Sequence, residues 1–388
     1  MKVAILGTRG IPNSYGGFEQ FAQYLSFGLV QEGFDVTVYN SHCHPYKESN
    51  WNDVKIVHSY DPENKIGTIG QFIYDLNCIL DCRKKNFDIV LQLGYTSSSV
   101  WFRLLDRNKC VVTTNMDGLE WKRSKYTKHV QQFLKFAEKL AVKHSHHLIA
   151  DSGAIKKYLK SKYNADSTFI PYGANVFNDP DEGVLKEYGL SPFAYDVLVA
   201  RLEPENSIEI ILEGFLKSSS KRTFVVIGNN GTKYGDYLKN KFSKFQNINF
   251  WGSIYDINKL NNIRYYSCLY FHGHTVGGTN PSLLEAMASH ALICAHDNVF
   301  NNSILKDDGY YFKTPVDVAQ ILEKLNKTDV SDKDKISNNI KKIESTYCWP
   351  KIVQQYIEHF RFITSKKIEG KPQVSFIKSN QTTNVNKT

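Results

Sequence analysis

A glycine-rich segment from His272 to Ala288, HGHTVGGTNPSLLEAMA, carries the residues best suited to chemistry in this chain. Its Asn-Pro pair predicts a helix start, because Asn caps helices and Pro fits the first helical position. The first turn, Ser282 to Leu284, would then present free backbone N–H groups, which attract phosphate. Glu285 follows one turn later, where a carboxylate can accept hydrogen bonds from sugar hydroxyls. The segment therefore predicts a site for a ligand with both a phosphate and a sugar; the alternative is a capped helix with a surface Glu.

A second glycine-rich loop, GTRGIPNSYGG from Gly7 to Gly17, follows a short apolar run. Its glycines allow close backbone approach to a phosphate, and the pair Gly16-Gly17 opens a helix. The dinucleotide fingerprint GxGxxG is absent, and the next predicted strand ends in Asn40-Ser41 instead of the acid that holds an adenosine ribose. These observations argue against NAD and leave a phosphate cradle or a purely structural turn.

Three charged residues lie where predicted strands end. Arg201 follows the first strand of a second domain, and its guanidinium can bind a diphosphate through two parallel hydrogen bonds. A salt bridge to Glu203 or Glu205 is the alternative. Asp117 and Glu120 follow another strand, and either acid can bind sugar hydroxyls or act as a base toward an acceptor hydroxyl. An acid near a helix start without such a role is the alternative for both.

The elements that position these residues follow an alternating strand and helix pattern. Such a pattern is typical of a parallel sheet with helices on both faces. Residues 171–195 are rich in Pro, Gly and Asp and predict a boundary, after which the pattern restarts. The predicted fold class is therefore α/β, with two doubly wound domains in series. Because ligands bind outside the carboxyl ends of such strands, the loops GTRG and ARLEPEN are expected to face each other across a cleft.

Composition excludes several classes of protein. The chain has 388 residues, 41% hydrophobic and 22% charged, which is ordinary for a globular protein with two cores. No apolar run approaches the ~20 residues of a membrane span, and Gly7 and Arg9 come too early for a signal peptide, so a cytoplasmic location is expected. The seven cysteines form no CxxC pair, and neither His42–His44 nor His144–His147 is expected to bind a metal.

The net charge of +9 is concentrated in one segment. Between Lys122 and His147 seven Lys or Arg stand against a single acid, Glu138, and apolar residues interleave at helical spacing. This pattern predicts a basic amphipathic helix whose apolar stripe packs mostly on the core. The basic face, 122–143, is a candidate for peripheral contact with an anionic membrane; an ordinary surface helix is the alternative. Nucleic acid is not expected as a partner, because the aromatic residues are not grouped with the basic ones.

Taken together, these segments resemble glycosyltransferase family 4, in which a GT-B fold places two Rossmann-like domains face to face. The resemblance covers about residues 1–362. It rests on six motifs: GGFE at 16–19, IPYGAN at 170–175, ARLEPEN at 200–206, VVIGNNG at 225–231, GGTNPSLLEAMA at 277–288 and YCWPKIVQQYIEHF at 347–360. The segments GTRGIPNSYGGFE and NMDGLEWKR resemble the branch that includes bacterial rhamnosyltransferases.

The domain boundaries follow from the resemblance. It implies a first, acceptor domain at 1–175, completed by a C-terminal helix at about 348–365, and a second, donor domain at 185–345. The tail 366–388 has too few apolar residues to pack and is expected to be disordered.

The resemblance also implies a retaining, metal-independent and cofactor-free transferase that moves a sugar from a nucleotide-diphosphate donor to a saccharide acceptor. Candidates are dTDP-rhamnose as donor and a polyprenyl-diphosphate-linked saccharide as acceptor, in bacterial surface polysaccharide synthesis. Arg201 and Asn206 would stabilise the departing phosphate, and Asp117 would orient the sugar or the acceptor. The residues expected to bind the donor are Gly16, Gly17, Arg201, Asn206, His274, Gly277, Gly278, Thr279, Asn280, Ser282, Leu283 and Glu285, with Glu285 on the ribose. Those expected near the acceptor or the sugar are Glu19, Asp117 and Glu120.

Two positions depart from the family pattern. Gly277 stands where the family has its first Glu, so the backbone N–H groups of Gly278 and Thr279 would have to replace a carboxylate. Asn206 stands where the family usually has Lys, so a neutral hydrogen bond, about half as strong as a charge-assisted one, replaces a positive charge. The missing Glu and Lys motivate a non-catalytic nucleotide-sugar binding module as an alternative. A nucleotide-sugar epimerase of GT-B fold is a further alternative, although Gly277 argues against it because an epimerase needs acid or base carboxylates close to the sugar.

Overall fold

The computed structural model describes residues 1–14, 16–106, 108–325 and 330–368, which form two mostly parallel sheets packed between helices. The predicted α/β class with two doubly wound domains is confirmed. Of the tail predicted to be disordered, 366–388, the first three residues belong to the last helix, and residues 369–388 lie outside those described.

The first sheet is built from the N-terminal part of the chain. Its strands are β1 (Lys2–Leu6), β2 (Asp35–Ser41), β3 (Asn50–Trp51), β4 (Val54–Ser59), β5 (Ile89–Leu93), β6 (Val111–Asn115), β7 (His147–Ala150) and β8 (Thr168–Phe169). Its helices are α1 (Gly17–Gln31), α2 (Glu63–Ile66), α3 (Ile69–Lys84), α4 (Lys128–His144) and α5 (Gly153–Tyr163), with 3₁₀ turns at Ser99–Leu104 and Glu120–Lys122. The strand order is β3-β4-β2-β1-β5-β6-β7-β8, and the β3–β4 pair is antiparallel.

The second sheet follows after residue 182. Its strands are β9 (Tyr195–Val199), β10 (Thr223–Ile227), β11 (Ile248–Trp251), β12 (Leu269–His272), β13 (Ile293–His296) and β14 (Tyr310–Phe312), in the order β11-β10-β9-β12-β13-β14. The helices are α6 (Gly183–Lys186), α7 (Ile208–Lys217), α8 (Lys233–Phe242), α9 (Ile257–Tyr265), α10 (Pro281–Ala288), α11 (Val299–Leu305), α12 (Pro315–Lys324), α13 (Val330–Lys342) and α14 (Trp349–Ile368). A 3₁₀ turn spans Pro204–Asn206, and a π-helical turn spans Ile343–Tyr347.

Strand order fixes where a ligand can bind. In the first sheet β1 lies between β2 and β5, so the strands that follow it in sequence are added first on one side of β1 and then on the other. In the second sheet β9 lies in the same way between β10 and β12. The loops that follow these two strands, 7–14 and 200–207, therefore lie at the two topological switch points, where open α/β sheets bind ligands. Both strands are buried, so the loops rest on rigid supports.

The last helix, α14, packs on the first domain. The rings of Tyr24 in α1 and Trp349 are stacked with centroids 4.6 Å apart. The Thr113 hydroxyl and His359 Nε2 are 2.9 Å apart, which ties α14 to β6. The two segments in which the chain passes between the domains are joined by a hydrogen bond, in which the Ala174 N–H donates to the Tyr347 carbonyl at 2.7 Å. The C-terminal helix is thus part of the first domain's packing.

Helix α4 contains only part of the basic segment 122–143, because it begins at Lys128, and Lys122, Arg123 and Lys125 lie in the 3₁₀ turn and the loop that precede it. Leu134, Ala137 and Ala141 are buried against the first sheet, in agreement with an apolar stripe that faces the core. None of the described helices combines the length and the apolar composition that a membrane-spanning helix requires.

Candidate functional site

The 273–280 loop joins β12 to α10 at the carboxyl end of the second sheet. Asn280 caps α10 by accepting the Ser282 N–H at 3.0 Å, and Pro281 occupies the first helical position, as predicted. The Leu283 and Leu284 N–H groups donate to the Asn280 carbonyl at 3.1 and 3.3 Å. The prediction that Ser282, Leu283 and Leu284 present free N–H groups is therefore wrong, because the cap itself engages them. Donors for an anion must come from the loop that precedes the helix.

Glycines let the first domain come very close to this loop. A Cβ on Gly118 would lie 2.7 Å from the Cα of Gly277, and a Cβ on Gly17 would lie 3.4 Å from the Pro281 Cγ. Gly277 itself has φ +148°, a conformation that favours glycine. The structure therefore brings together three segments that the sequence analysis singled out separately: the Gly16-Gly17 turn, the loop after β6 and the 273–280 loop.

Arg201 follows β9 and is exposed. Glu203 and Glu205, the two acids considered as alternative salt-bridge partners of Arg201, pair instead with cations of the first domain. Glu205 pairs with Arg123, with 3.5 Å between Oε1 and Nη1, and Glu203 pairs with Lys125 at 3.6 Å. Within the part of the chain that the structure describes, no carboxylate lies within salt-bridge distance of the Arg201 guanidinium. Arg201 is thus a cation without a counterion at a switch point.

Asp117 occupies a left-handed backbone conformation with φ 48°, and its N–H donates to the Asn115 Oδ1 at 3.0 Å. Burial, followed by the negative charge of Glu120, raises the pKa of Asp117 to about 6, while Arg123 and Arg201 act in the opposite direction. A carboxyl that changes protonation near neutral pH at a cleft is the kind of group found at functional sites. Glu120 is less available, because the Arg123 Nε donates to both of its oxygens at 2.8 and 2.9 Å.

A second carboxyl, Asp151, lies against the 273–280 loop and was missed by the sequence analysis. It directly follows β7, is 1% exposed, and its Oδ2 accepts the Thr279 N–H at 3.1 Å. The Thr279 hydroxyl donates to the Asp151 backbone carbonyl. Burial and the neighbouring Asp117 raise the pKa of Asp151 well above its ordinary value. The available signal was its position, since an acid directly after a strand is the same pattern that pointed to Asp117.

Glu285 lies between the two domains. Its Oε2 pairs with the buried Arg264 at 2.6 Å, and its Oε1 accepts the Gln20 amide of α1 at 3.0 Å. Both partners were missed, because neither a buried Arg in α9 nor a Gln in α1 has a local sequence signal. Each carboxylate oxygen keeps a second lone pair for a ribose hydroxyl. Glu285 therefore has a structural function in addition to any contact with a ligand.

Three further predicted residues are engaged by the protein. Glu19 is buried and braces the first glycine-rich loop, accepting the Arg9 N–H at 2.8 Å and the Thr8 hydroxyl at 3.1 Å. The Asn206 amide donates to the Arg201 carbonyl at 2.6 Å. His274 stacks on His272 with ring centroids 4.4 Å apart, and burial holds its pKa well below the ordinary value, so it is neutral. Among the described residues, no three His, Cys, Asp or Glu side chains are grouped as a metal site requires.

Comparison with known proteins supports this architecture. Residues 1–175 match the sequence profile of a domain of unknown function, DUF1972. Sucrose-phosphate synthase from Thermosynechococcus elongatus has a similar structure, with a TM-score of 0.76, 15% identity and coverage of 94% of this chain and 99% of that one. Anabaena HepE, in complex with UDP and glucose, has a TM-score of 0.73 at 14% identity, with 93% and 100% covered.

The chain has a GT-B fold. WaaG, a glycosyltransferase involved in lipopolysaccharide biosynthesis, also has this architecture, with a TM-score of 0.68, 12% identity and coverage of 94% of this chain and 100% of that one. A search of curated protein sequences found no match. At these levels of identity the similarity establishes the fold alone.

Proposed function

We propose that the protein is a glycosyltransferase that takes a sugar from a nucleotide-diphosphate donor bound on the second domain and passes it to an acceptor on the first. The observation that carries this proposal is the unpaired, exposed Arg201 at the β9 switch point, beside Asp117 and the 273–280 loop. An uncompensated guanidinium is suited to a diphosphate, which it can bind with two parallel charge-assisted hydrogen bonds. HepE, which has a similar structure, forms complexes with UDP and with UDP-glucose, and this supports a nucleotide-sugar donor.

We propose, following the family resemblance, that the mechanism is retaining and metal-independent. As the bond from the anomeric carbon to the diphosphate oxygen breaks, negative charge grows on the leaving phosphate, and Arg201 stabilises that charge. Asn206 supports Arg201 by donating its amide N–H to the Arg201 backbone carbonyl. The acceptor hydroxyl attacks from the face the phosphate leaves, gives its proton to the departing phosphate oxygen, and is oriented by the Asp117 carboxylate. Closure of the two domains excludes water and suppresses hydrolysis of the donor.

The finer assignment follows the family resemblance. We propose membership of glycosyltransferase family 4, in the rhamnosyltransferase branch, with dTDP-rhamnose as the first donor to test and a lipid-linked saccharide of bacterial surface polysaccharide synthesis as acceptor. The second lone pairs of Glu285 would accept hydrogen bonds from the nucleotide ribose.

The first experiment is a calorimetric binding screen of the full chain against UDP, dTDP, UDP-glucose and dTDP-rhamnose, followed by turnover on saccharide acceptors. Binding of at least one nucleotide diphosphate is expected, as is a product whose anomeric configuration matches that of the donor. Arg83→Ala, an exposed arginine of α3, is the matched control for Arg201→Ala. If no nucleotide binds, or if the product is inverted, the proposed function fails.

An anionic membrane surface is the proposed location of the acceptor. The solvent face of α4 presents Phe136, which is 53% exposed, beside the exposed Lys128, Lys139 and Lys143. An exposed aromatic ring beside lysines is suited to an interface with acidic lipids.

This location can be tested by vesicle sedimentation. Replacing Lys128, Lys139 and Lys143 by Gln should abolish binding to phosphatidylglycerol vesicles at low salt. The same change at Lys217, Lys221 and Lys244 of the second domain, which removes equal charge, should not. Equal loss in both triple variants would show attraction by net charge alone and would remove α4 from the proposal.

One observation favours a second candidate function. A nucleotide-sugar epimerase needs two acid or base groups beside the sugar, and the structure places Asp117 close enough to Asp151 at the 273–280 loop for its charge to raise the pKa of Asp151. Incubation with UDP-glucose or dTDP-rhamnose alone separates the candidates, because an epimerase changes the sugar without any acceptor. Nucleotide binding with no change to any donor or acceptor would instead indicate a binding module.

A further inference from the structure

Glu138 is the single acid of the basic segment, and it lies on the buried side of α4, where it is 1% exposed. Its Oε1 accepts the hydroxyls of Tyr158 and Tyr163 from α5, both at 2.6 Å, and the Lys162 ammonium at 3.0 Å. Burial and the hydrogen bond to Glu138 raise the pKa of both tyrosines, so their hydroxyls remain donors at neutral pH. Its Oε2 accepts the Trp121 indole N–H at 3.1 Å. A buried carboxylate with this many donors, one of them cationic, is a firmly held anchor.

Trp121 is held in a second way at the same place. The ammonium groups of Lys135 and Lys162 lie 4.5 and 5.3 Å from the centroid of its ring. Both distances are within the ~6 Å range of cation–π attraction. The indole N–H is therefore bound by the carboxylate of Glu138 while the ring itself attracts two lysines.

Trp121 belongs to the loop after β6, residues 116–127, which also carries Asp117. Only three residues separate the two side chains in sequence. The turn between them is closed by the Glu120 N–H, which donates to the Gly118 carbonyl at 3.0 Å. A displacement of Trp121 would therefore be passed through one short turn to Asp117.

A second contact joins the same carboxylate to this loop. The Tyr95 hydroxyl lies 3.4 Å from the Glu138 Oε2 and 3.5 Å from the carbonyl oxygen of Gly118, the residue that follows Asp117. On its other side Gly118 packs so closely on Gly277 that a Cβ would lie 2.7 Å from the Gly277 Cα. The loop is thus fixed by Glu138 on its inner side and by the second domain on its cleft side. Such precision matters, because a misplacement of about 1 Å at a reacting group can cost about 100-fold in rate.

We propose that Glu138 is a positioning residue for the transfer reaction: through Trp121 it fixes the loop after β6 and so sets where the Asp117 carboxylate meets the acceptor. The inference rests on the proposed function for the role of Asp117. The hydrogen-bond donors to Glu138 named above all belong to the first domain, whereas the nucleotide is assigned to the second. Glu138 therefore acts on acceptor positioning and leaves nucleotide binding unchanged.

The test compares two variants of the full chain that each remove one hydrogen bond to Glu138 and keep an aromatic ring. Trp121→Phe removes the bond from the loop, and the matched control Tyr163→Phe removes one from α5. Trp121→Phe should lower kcat with a saccharide acceptor about tenfold, while the Kd of UDP or dTDP and the KM of the nucleotide-sugar donor stay unchanged. Tyr163→Phe should change none of these quantities, because the bond between Glu138 and the loop is intact.

Hydrogen exchange without added ligand measures the position of the loop independently of activity. Trp121→Phe should speed amide exchange in residues 116–127 about fivefold, as expected for the loss of one hydrogen bond, and Tyr163→Phe should speed it only in α5. Glu138→Gln should speed exchange in the loop less than Trp121→Phe does, because its amide oxygen can still accept the indole N–H.

Equal effects of Trp121→Phe and Tyr163→Phe on kcat would overturn the proposal and leave Glu138 with a role in helix packing alone. Unchanged exchange of the loop in Trp121→Phe would also overturn it, as would a weaker Kd for nucleotide with an unchanged kcat. If the wild type neither binds UDP or dTDP nor transfers a sugar, the proposed function fails, and the exchange comparison still decides whether Glu138 holds the loop.

Discussion

Two arginines face the same cleft and are treated in opposite ways by the fold. Arg201 follows β9 of the second domain and has no carboxylate partner among the described residues. Arg123 belongs to the loop after β6 of the first domain and is held by Glu120 and by Glu205 of the facing domain. One guanidinium is free to bind an anion, and the other fastens the two domains together.

The difference between the two arginines shows that opposite charges close in sequence do not by themselves predict a salt bridge. Each arginine has an acid two or three positions away in sequence, so both looked equally able to form a local salt bridge. Only Arg123 does so. Its contact with Glu205, together with the contact of Lys125 with Glu203, occupies both acids that Arg201 could have used. A structural ion pair therefore preserves a functional cation nearby.

Removing the free guanidinium should have the largest effect. Arg201→Ala should weaken nucleoside diphosphate binding about 100-fold, because two charge-assisted hydrogen bonds are lost. Arg201→Lys keeps the charge without the planar fork and should lose about tenfold. Calorimetry with UDP and dTDP measures both, and thermal unfolding should be unchanged because Arg201 supports no partner. A loss smaller than threefold in Arg201→Ala would show that the free guanidinium is not the diphosphate ligand.

Removing the paired guanidinium should instead reduce stability. Arg123→Ala should lower the free energy of unfolding by about 2 kcal/mol, a value discounted from that of a fully buried pair because Arg123 is partly exposed. Glu205 is 3% exposed at its side chain and would be left without its cation. Urea unfolding measures the change. The double variant Arg123→Ala/Glu205→Gln should recover part of the loss, since no uncompensated charge is then buried; an equal loss in both would assign the effect to packing alone.

The sequence predicted the positions of these groups better than their partners. The Asn280-Pro281 helix start, the Gly16-Gly17 helix start and the strand ends at Asp117 and Arg201 depend on local backbone chemistry, and they lie where expected. The partners of Glu285 and Arg123 come from segments distant in the chain, which no local pattern reveals. The first-turn N–H prediction failed for a local reason, because the capping residue that marks a helix start also satisfies its donors.

The secondary structure was likewise predicted where the signal is local and missed where it depends on distant parts of the chain. The strands of both sheets that support the cleft were predicted from apolar runs. The β3–β4 hairpin and helix α3 were missed, and both lie between the predicted strands of the first domain. Strand β3 has only two residues, and α3 buries Gly70 and Asp75 beside Tyr74, Cys78, Ile79 and Cys82, so its apolar periodicity is weak. Short strands, and helices whose inner face mixes polar and apolar residues, depend on tertiary contacts that sequence patterns do not carry.

Both arginines should also affect the pH dependence of turnover, because both lower the pKa of Asp117. Its pKa is raised to about 6, and Arg123 and then Arg201 keep it from rising further. If the ionised carboxylate orients the acceptor, turnover falls as pH drops through about 6, roughly tenfold per pH unit below that value.

The arginine variants test the direction in which this acid limb shifts. Removing either cation should raise the pKa of Asp117 and so shift this acid limb to higher pH, more in Arg123→Ala than in Arg201→Ala. Turnover measured from pH 4.5 to 8 in each variant tests this order. An acid limb that does not move in Arg123→Ala would show that a group other than Asp117 titrates.

The smallest effect should come from the residue that fixes the Arg201 backbone. Asn206→Ala removes the amide that donates to the Arg201 carbonyl at 2.6 Å. One neutral hydrogen bond is worth about 1 kcal/mol, so nucleotide affinity should fall about fivefold because the Arg201 guanidinium is still present but is positioned less firmly. In the Arg201→Ala background the same change should lower affinity much less, because the side chain that Asn206 positions is gone. Calorimetry on the four proteins of this double-mutant cycle measures the coupling. Full additivity would mean that Asn206 contacts the diphosphate directly and independently of Arg201, which would make the neutral residue at this position a second ligand instead of a support for the first.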